Sequence, residues 1–249
     1  MKHSDWLARG LAALYLFFWL GGVGAYVFLD GPPAHVTWTA PLFLFLAGTL
    51  VLLGSRDRGR LLMCGTLGFC AELAGVWTGY PFGAYQYTSQ LAPSLLDVPL
   101  VMVAAWLILL AYVRDMLRPL QLSRVVEVVI ASAWMTAIDL VIDPLAAGPL
   151  NYWQWDHDGW YYGIPMTNFV GWYVISLVVF GCAGPAWHAN ATARWVGFSI
   201  VLFFGCLAIA VGYIGVGVVA GALLTLHGFA YYRLHAPSNA VRVGDQPPQ

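Results

Sequence analysis

The chain has 249 residues, 60% of them hydrophobic and only 9% charged, with a net charge of −1 and a mean hydropathy of +0.72. Soluble domains carry about 25% charged residues, so this chain cannot cover a water-facing surface. A nucleic-acid partner would want a basic face, and the near-neutral balance argues against one.

Apolar runs of membrane length predict spans at 7–29, 36–54, 61–77, 98–117, 125–142, 164–183, 195–213 and 216–232. The fold class expected is therefore all-α: a polytopic integral membrane helical bundle of about eight transmembrane helices. The first run follows Met1, Lys2 and Arg9 much as a signal peptide would. It is longer than the apolar core of such a peptide and no A-x-A site follows, so it is expected to be a retained span. The last two runs come from a stretch at 195–232 without charge, too long for one span. Gly212, Gly215 and Gly217 offer a place to turn. A single transmembrane domain over 1–236 is expected, with a polar, disordered cytoplasmic tail over 237–249.

Charge supports the count independently. With eight spans, all 11 Lys and Arg residues fall on one side. They are Lys2 and Arg9, then Arg56, Arg58 and Arg60, then Arg114, Arg118 and Arg124, then Arg194, Arg233 and Arg242. The opposite connections hold Asp30, Asp97, Asp156 and Asp158 without a basic residue. A seven-span arrangement would strand Arg233 and Arg242 on the wrong side. The positive-inside bias then puts both termini of a cell-membrane protein in the cytoplasm.

Cys64, Cys70, Cys182 and Cys206 lie in apolar runs without CxxC spacing and read as buried small hydrophobes. His227 alone among the histidines is well inside a span, so no converging set of metal ligands is expected. His227, Ser132 and Ser176 read as helix contacts, and no P-loop, GxGxxG or GxSxG is present.

Acids inside spans are costly, about 2.5–3.5 kcal/mol each on insertion scales, and so are usually paired or functional. Glu127, close to Arg124, reads as an interfacial charge at a helix N-terminus. Glu72, Asp139 and Asp143 differ. Asp139 and Asp143 share a helix face at i, i+4, and Glu72 and Asp139 lie roughly 6–8 Å below the outer surface. No cation is available at that depth. Each acid could serve a helix contact, and Asp143-Pro144 could end a helix. Converging at one depth, the three point instead to a carboxyl group that keeps its proton and acts as a general acid.

Aromatic residues crowd the same level: Trp77, Tyr80, Phe82, Tyr85 and Tyr87, then Trp153, Trp155, Trp160, Tyr161 and Tyr162, then Trp172 and Tyr173. Part of this is an interfacial belt. The opposite side lacks such a cluster, which suggests loops folded back over a pocket. Aromatic faces stabilise cations, so acid and aromatics together suit protonation of an alkene.

The string AELAGVWTGYPFGAYQYT at Ala71–Thr88 resembles the E-x-x-G-x-x-x-G-x-P-F-G-x-Y-x-Y signature of a family of membrane carotenoid-biosynthesis proteins, which includes the CruF-type carotenoid hydratases. Asp143-Pro144, YWQW at Tyr152–Trp155 and GWYYGIPMTNFVGW at Gly159–Trp172 resemble its second signature. The resemblance implies hydration of a terminal double bond of a lipid-soluble acyclic carotenoid, without a cofactor, by protonation to a tertiary cation that water captures. It also implies association with other enzymes of the same pathway. Under that reading Glu72, Asp139 or Asp143 supplies the proton. The substrate-binding set is Trp77, Tyr80, Phe82, Tyr85, Tyr87, Trp153, Trp155, Tyr162, Asn168 and Trp172, with Asn168 and Tyr85 positioning water.

Two other readings stay open. Another end-group reaction could be served: cyclisation uses the same acid and aromatic residues, whereas prenyl elongation is disfavoured because no basic partner for a diphosphate lies near Asp139 and Asp143. A proton-coupled transporter would also use intramembrane acids, but no inverted pair of broken spans is visible.

Overall fold

A computed structural model describes residues 3–29, 31–185 and 187–235. The expected tail at 237–249, together with Lys2, Asp30 and Arg242, lies outside them. Among the described residues, eight α-helices make an all-α membrane bundle: α1 (His3–Phe28), α2 (Thr39–Gly54), α3 (Arg58–Thr78), α4 (Met102–Leu117), α5 (Arg124–Ala147), α6 (Met166–Cys182), α7 (Ala191–Ala210) and α8 (Ile214–His235). Stretches of α1, α3, α5, α7 and α8 are long and apolar enough to cross a membrane, and α2 and α6 are shorter apolar helices.

The centre of the bundle is α4. It is apolar all round from Met102 to Val113, as a helix without a lipid face is expected to be, and nearly every residue from Met102 to Leu117 is buried. Around it pack α2, α3, α5, α7 and α8. The most peripheral helix is α1, which rests on α2 and α7.

Two ends can be told apart. At the basic end, short connections bring Arg114, Arg118, Asp57, His188 and Asn190 together. Arg58 caps the preceding helix: its Nε donates to Leu52 O and Ser55 O at 2.9 and 3.2 Å, and its Nη2 to Leu53 O at 3.1 Å. These are carbonyls that a helix C-terminus leaves without partners. Asn190 caps α7 by accepting from Ala193 N, and donates from Nδ2 to Val51 O.

At the aromatic end the two long loops pair. Strand β1 (Tyr85–Tyr87) runs antiparallel to β4 (Trp153–Trp155), with Tyr85 opposite Trp155 and Tyr87 opposite Trp153. A second hairpin joins β2 (Ser94–Leu95) to β3 (Val98–Pro99). That hairpin is why α4 begins at Met102 rather than at 98, where the apolar run starts.

Several expectations are corrected. Asp143-Pro144 does not end α5, which continues to Ala147 with Pro144 inside it. Proline has no N–H for the carbonyl four residues back; that carbonyl, Leu140 O, accepts from Tyr161 Oη at 3.0 Å instead. Arg114 and Arg194 are not loop residues but buried in α4 and α7. Arg194 Nε bonds Asp115 Oδ2 at 2.6 Å, and Arg114 and Arg124 both pair with Glu127. Asp115, which is not among the acids singled out from the sequence, is the buried partner of Arg194. Of the cysteines only Cys64 is buried; Cys70 and Cys182 are exposed on the bundle surface. The α7–α8 turn falls at Val211–Tyr213, close to the expected break, with Gly212 at φ +80°, a conformation that glycine adopts without strain.

The Asp115–Arg194 pair is a test of this packing. Asp115→Asn keeps an acceptor for the Asn190 N–H, which now bonds Asp115 Oδ1 at 2.9 Å, but leaves the Arg194 charge buried and uncompensated. The expected cost is about 3–5 kcal/mol, read as a lowered thermal unfolding midpoint of the detergent-solubilised protein. An unchanged midpoint would contradict the burial described here.

Candidate active site

Helices α5 and α6 lie against each other, and the i, i+4 spacing on α5 turns Asp139 and Asp143 toward the first turn of α6. Asn168 is there. Its Nδ2 donates to Asp139 Oδ2 at 2.7 Å and to Asp143 Oδ2 at 2.6 Å. All three side chains are buried. One amide nitrogen has two protons to give, and here each aspartate takes one. Asp143 has a further donor, Trp153 Nε1, at 2.6 Å from Oδ1.

Glu72, on α3, is buried too, and three neutral donors surround it. Tyr85 Oη lies 2.5 Å and Tyr87 Oη 3.0 Å from Oε2, while Trp106 Nε1 lies 3.0 Å from Oε1. The indole of Trp106 fits because residue 68 is glycine: a Cβ there would stand 2.2 Å from the Trp106 ring. On the other face Trp106 stacks on Trp172, with centroids 4.4 Å apart.

The strand pair joins the two groups of acids. Trp153 bonds Asp143 and meets Tyr87 edge-on at 5.8 Å, and Tyr87 bonds Glu72. Tyr85 lies between, 5.0 Å from Trp155 and 6.4 Å from Phe82. Burial first, and then the neighbouring Glu72, hold the hydroxyls of Tyr85 and Tyr87 well above the ordinary tyrosine range, so both remain donors. Among the described residues no Lys or Arg pairs with the three acids.

Phe82, Tyr85, Tyr87, Trp153, Trp155, Asn168 and Trp172 therefore gather with Glu72, Asp139 and Asp143. Three residues of the expected binding set do not. Trp77 and Tyr80 are 61% and 78% exposed, pointing away from the bundle as belt residues do. Tyr162 stacks on Tyr213 at 4.7 Å and accepts from Gly215 N, bracing the start of α8. Trp106 was missed. A signal existed: a tryptophan inside an otherwise apolar span needs a partner for its N–H, and the only polar residue at that depth on the preceding span is Glu72.

Two long aromatic loops and a buried acid cluster are thus set in a chain whose residues 35–230 match the family model described as carotenoid biosynthesis protein. The chain belongs to that family. The matched region takes in both aromatic loops and every residue of the cluster. A bisanhydrobacterioruberin hydratase of Haloarcula japonica is 33% identical over 132 residues, which are 51% of this chain and 44% of that relative. The match thus spans less than half of the relative's length. No solved structure matches the chain.

The Glu72 group can be tested without reference to activity. Trp106→Phe keeps the stack on Trp172 but removes one donor to a buried carboxylate, at an expected cost of about 1–3 kcal/mol in stability. Combined with Glu72→Leu, which leaves no acceptor, the loss should be smaller than the sum of the two single losses, because both changes remove the same hydrogen bond. Full additivity of the unfolding midpoints would disprove the coupling.

Proposed function

We propose that the protein is a carotenoid hydratase that adds water across the terminal double bond of an acyclic carotenoid end group. The family and the hydratase relative support the reaction class. The observation that carries the residue assignment is the Asp139–Asn168–Asp143 arrangement: two buried carboxyl groups on one amide, with no cation paired to either among the described residues.

Two carboxylates so placed repel each other, and a shared proton relieves the repulsion. Asp143 has Trp153 as a second donor to stabilise its anion, so Asp139 is the better proton carrier. In the proposed step Asp139 gives its proton to the less substituted carbon of the trisubstituted alkene. The π electrons form the new C–H bond, and positive charge is left on the tertiary carbon. Aromatic faces of Tyr85, Trp153 and Trp155 stabilise that charge, and Glu72, held by three donors, adds a fixed negative charge nearby. Water attacks the cation through oxygen and releases a proton to Asp139. One C–H bond, one C–O bond and a regenerated acid balance the reaction.

In a host that accumulates acyclic carotenoids, expression should give products heavier by one or two waters. Unchanged pigment in the presence of folded protein would reject the reading for that substrate. Asp139→Asn and Asp143→Asn should each lower hydration by about 10²–10⁴-fold, the usual contribution of a general acid. Normal rates in both would remove the aspartate pair from the mechanism.

We also infer that the basic end faces the cytoplasm. In a cysteine-free background, Ser94→Cys at the aromatic end should react with a membrane-impermeant thiol reagent in intact cells, and Gln121→Cys at the basic end only after lysis. The opposite pattern would reverse the orientation.

A further inference from the structure

A second feature lies beside the acids. Between α1, α2 and α7 runs a groove of about 290 Å³, lined by Phe18, Tyr26, Phe43, Phe203, Phe204 and Tyr152 among others. We propose that this groove seats the isoprenoid chain of the substrate and delivers its end group past Tyr152 to Asp139 and Asp143. The proposal rests on the hydratase reading and adds the binding site for the rest of the molecule.

Three observations support it. The first is chemistry. The lining is mostly hydrocarbon and aromatic, and its residues with polar side chains, Tyr26, Tyr152 and Thr39, lie near the aromatic end. Among the described residues no Lys or Arg lines it, so none of them there holds the phosphate of a lipid headgroup. An occupant apolar along its whole length fits.

The second is continuity. Tyr152 lines the groove, and its N–H bonds Ala146 O in the last turn of α5. The next residue, Trp153, donates to Asp143. One residue therefore separates the groove wall from the acid pair.

The third is access and extent. On α1 the lining runs from Phe17 to Tyr26, about 13 Å along the helix axis. That carries it from the level of the acids toward mid-membrane. Phe17 is 67% exposed, so this rim opens sideways to lipid, where a water-insoluble substrate is dissolved. Lipid tails are as apolar as the groove, so the groove contributes little net hydrophobic affinity. What it supplies is position: it fixes where the chain lies and how far its end reaches.

Gly21 provides the test. It lines the groove, and nothing lies within 4 Å of a Cβ built there, so a side chain can leave the helix at that point and Gly21→Trp sets an indole against the groove. Gly24, on the same helix, also has nothing within 4 Å but does not line the groove; Gly24→Trp is the matched control. Each protein, purified in detergent with an acyclic carotenoid, would be scored for bound pigment per protein, for induced circular dichroism of the polyene, and for hydrated product. Gly21→Trp should lose about tenfold or more of both binding and product, equivalent to about 1.4 kcal/mol. Gly24→Trp should match the wild type, and Asp139→Asn should bind pigment without converting it. Wild-type binding and turnover in Gly21→Trp, or an equal loss in Gly24→Trp, would overturn the groove while leaving the hydratase reading intact. Groove-dependent binding by a wild type that makes no hydrated product would do the reverse. A wild type that neither binds nor hydrates overturns both.

Discussion

A carboxylate in an apolar bundle must find its partners inside the protein, because lipid offers none. This chain meets that demand differently at its two ends. At the basic end, acids pair with guanidinium groups: Asp115 with Arg194, and Glu127 with Arg114 and Arg124. At the aromatic end, where no cation pairs with them among the described residues, neutral phenol, indole and amide groups take over. They do so unequally. Among the described residues, Glu72 receives three donors, Asp143 two and Asp139 one. Ion pairing fixes charge in place, whereas unequal donation by neutral groups leaves room for a proton to be held at one site and given up. The proposed chemistry depends on that difference.

Neutral donors of this kind have to be brought in from loops, and loops at membrane depth must satisfy their own backbone. The pairing of β1 with β4 does both. Its ladder is extended by Thr88 N to Tyr152 O and by Asp156 N to Ala84 O. The same strands turn Tyr85, Tyr87 and Trp153 onto the acids. Pro144 has a comparable economy. It removes a helix hydrogen bond one residue after Asp143, and Tyr161, from the same aromatic loop, restores a partner for Leu140 O. The lid and the helix it covers are thus tied at the residue next to the acid.

Much of this was legible in the sequence. Eight helices followed from hydropathy and from the one-sided cations, and the acid trio from the shortage of cations at their depth. The aromatic strings carried the family. What escaped was whatever depends on three-dimensional neighbours. Pro144 looks like a helix end until the donor to Leu140 O is known. Arg114 and Arg194 look like loop charges until the acids facing them are placed. Trp106 is one more apolar residue until Glu72 is found opposite it, across a gap that Gly68 leaves open. Trp77, Tyr80 and Tyr162 erred the other way, since composition cannot tell a belt residue from a pocket residue at one height.

The position of the acids near one end of the bundle bears on which double bond of a polyene could react. A long hydrocarbon has no polar group by which to be registered, and every interior double bond resembles its neighbours. Selection of the terminal bond therefore has to come from where the chain stops. Under the proposed reading, the groove along α1 admits the chain from mid-membrane and the paired loops close over its far end, where Tyr152 and Trp153 stand between groove and acid. The chain can advance only until its end group meets that closure, and the bond brought to Asp139 is then the last one. Specificity for the end group would in this way follow from the depth of the acids and the closed aromatic end, with no polar recognition of the substrate.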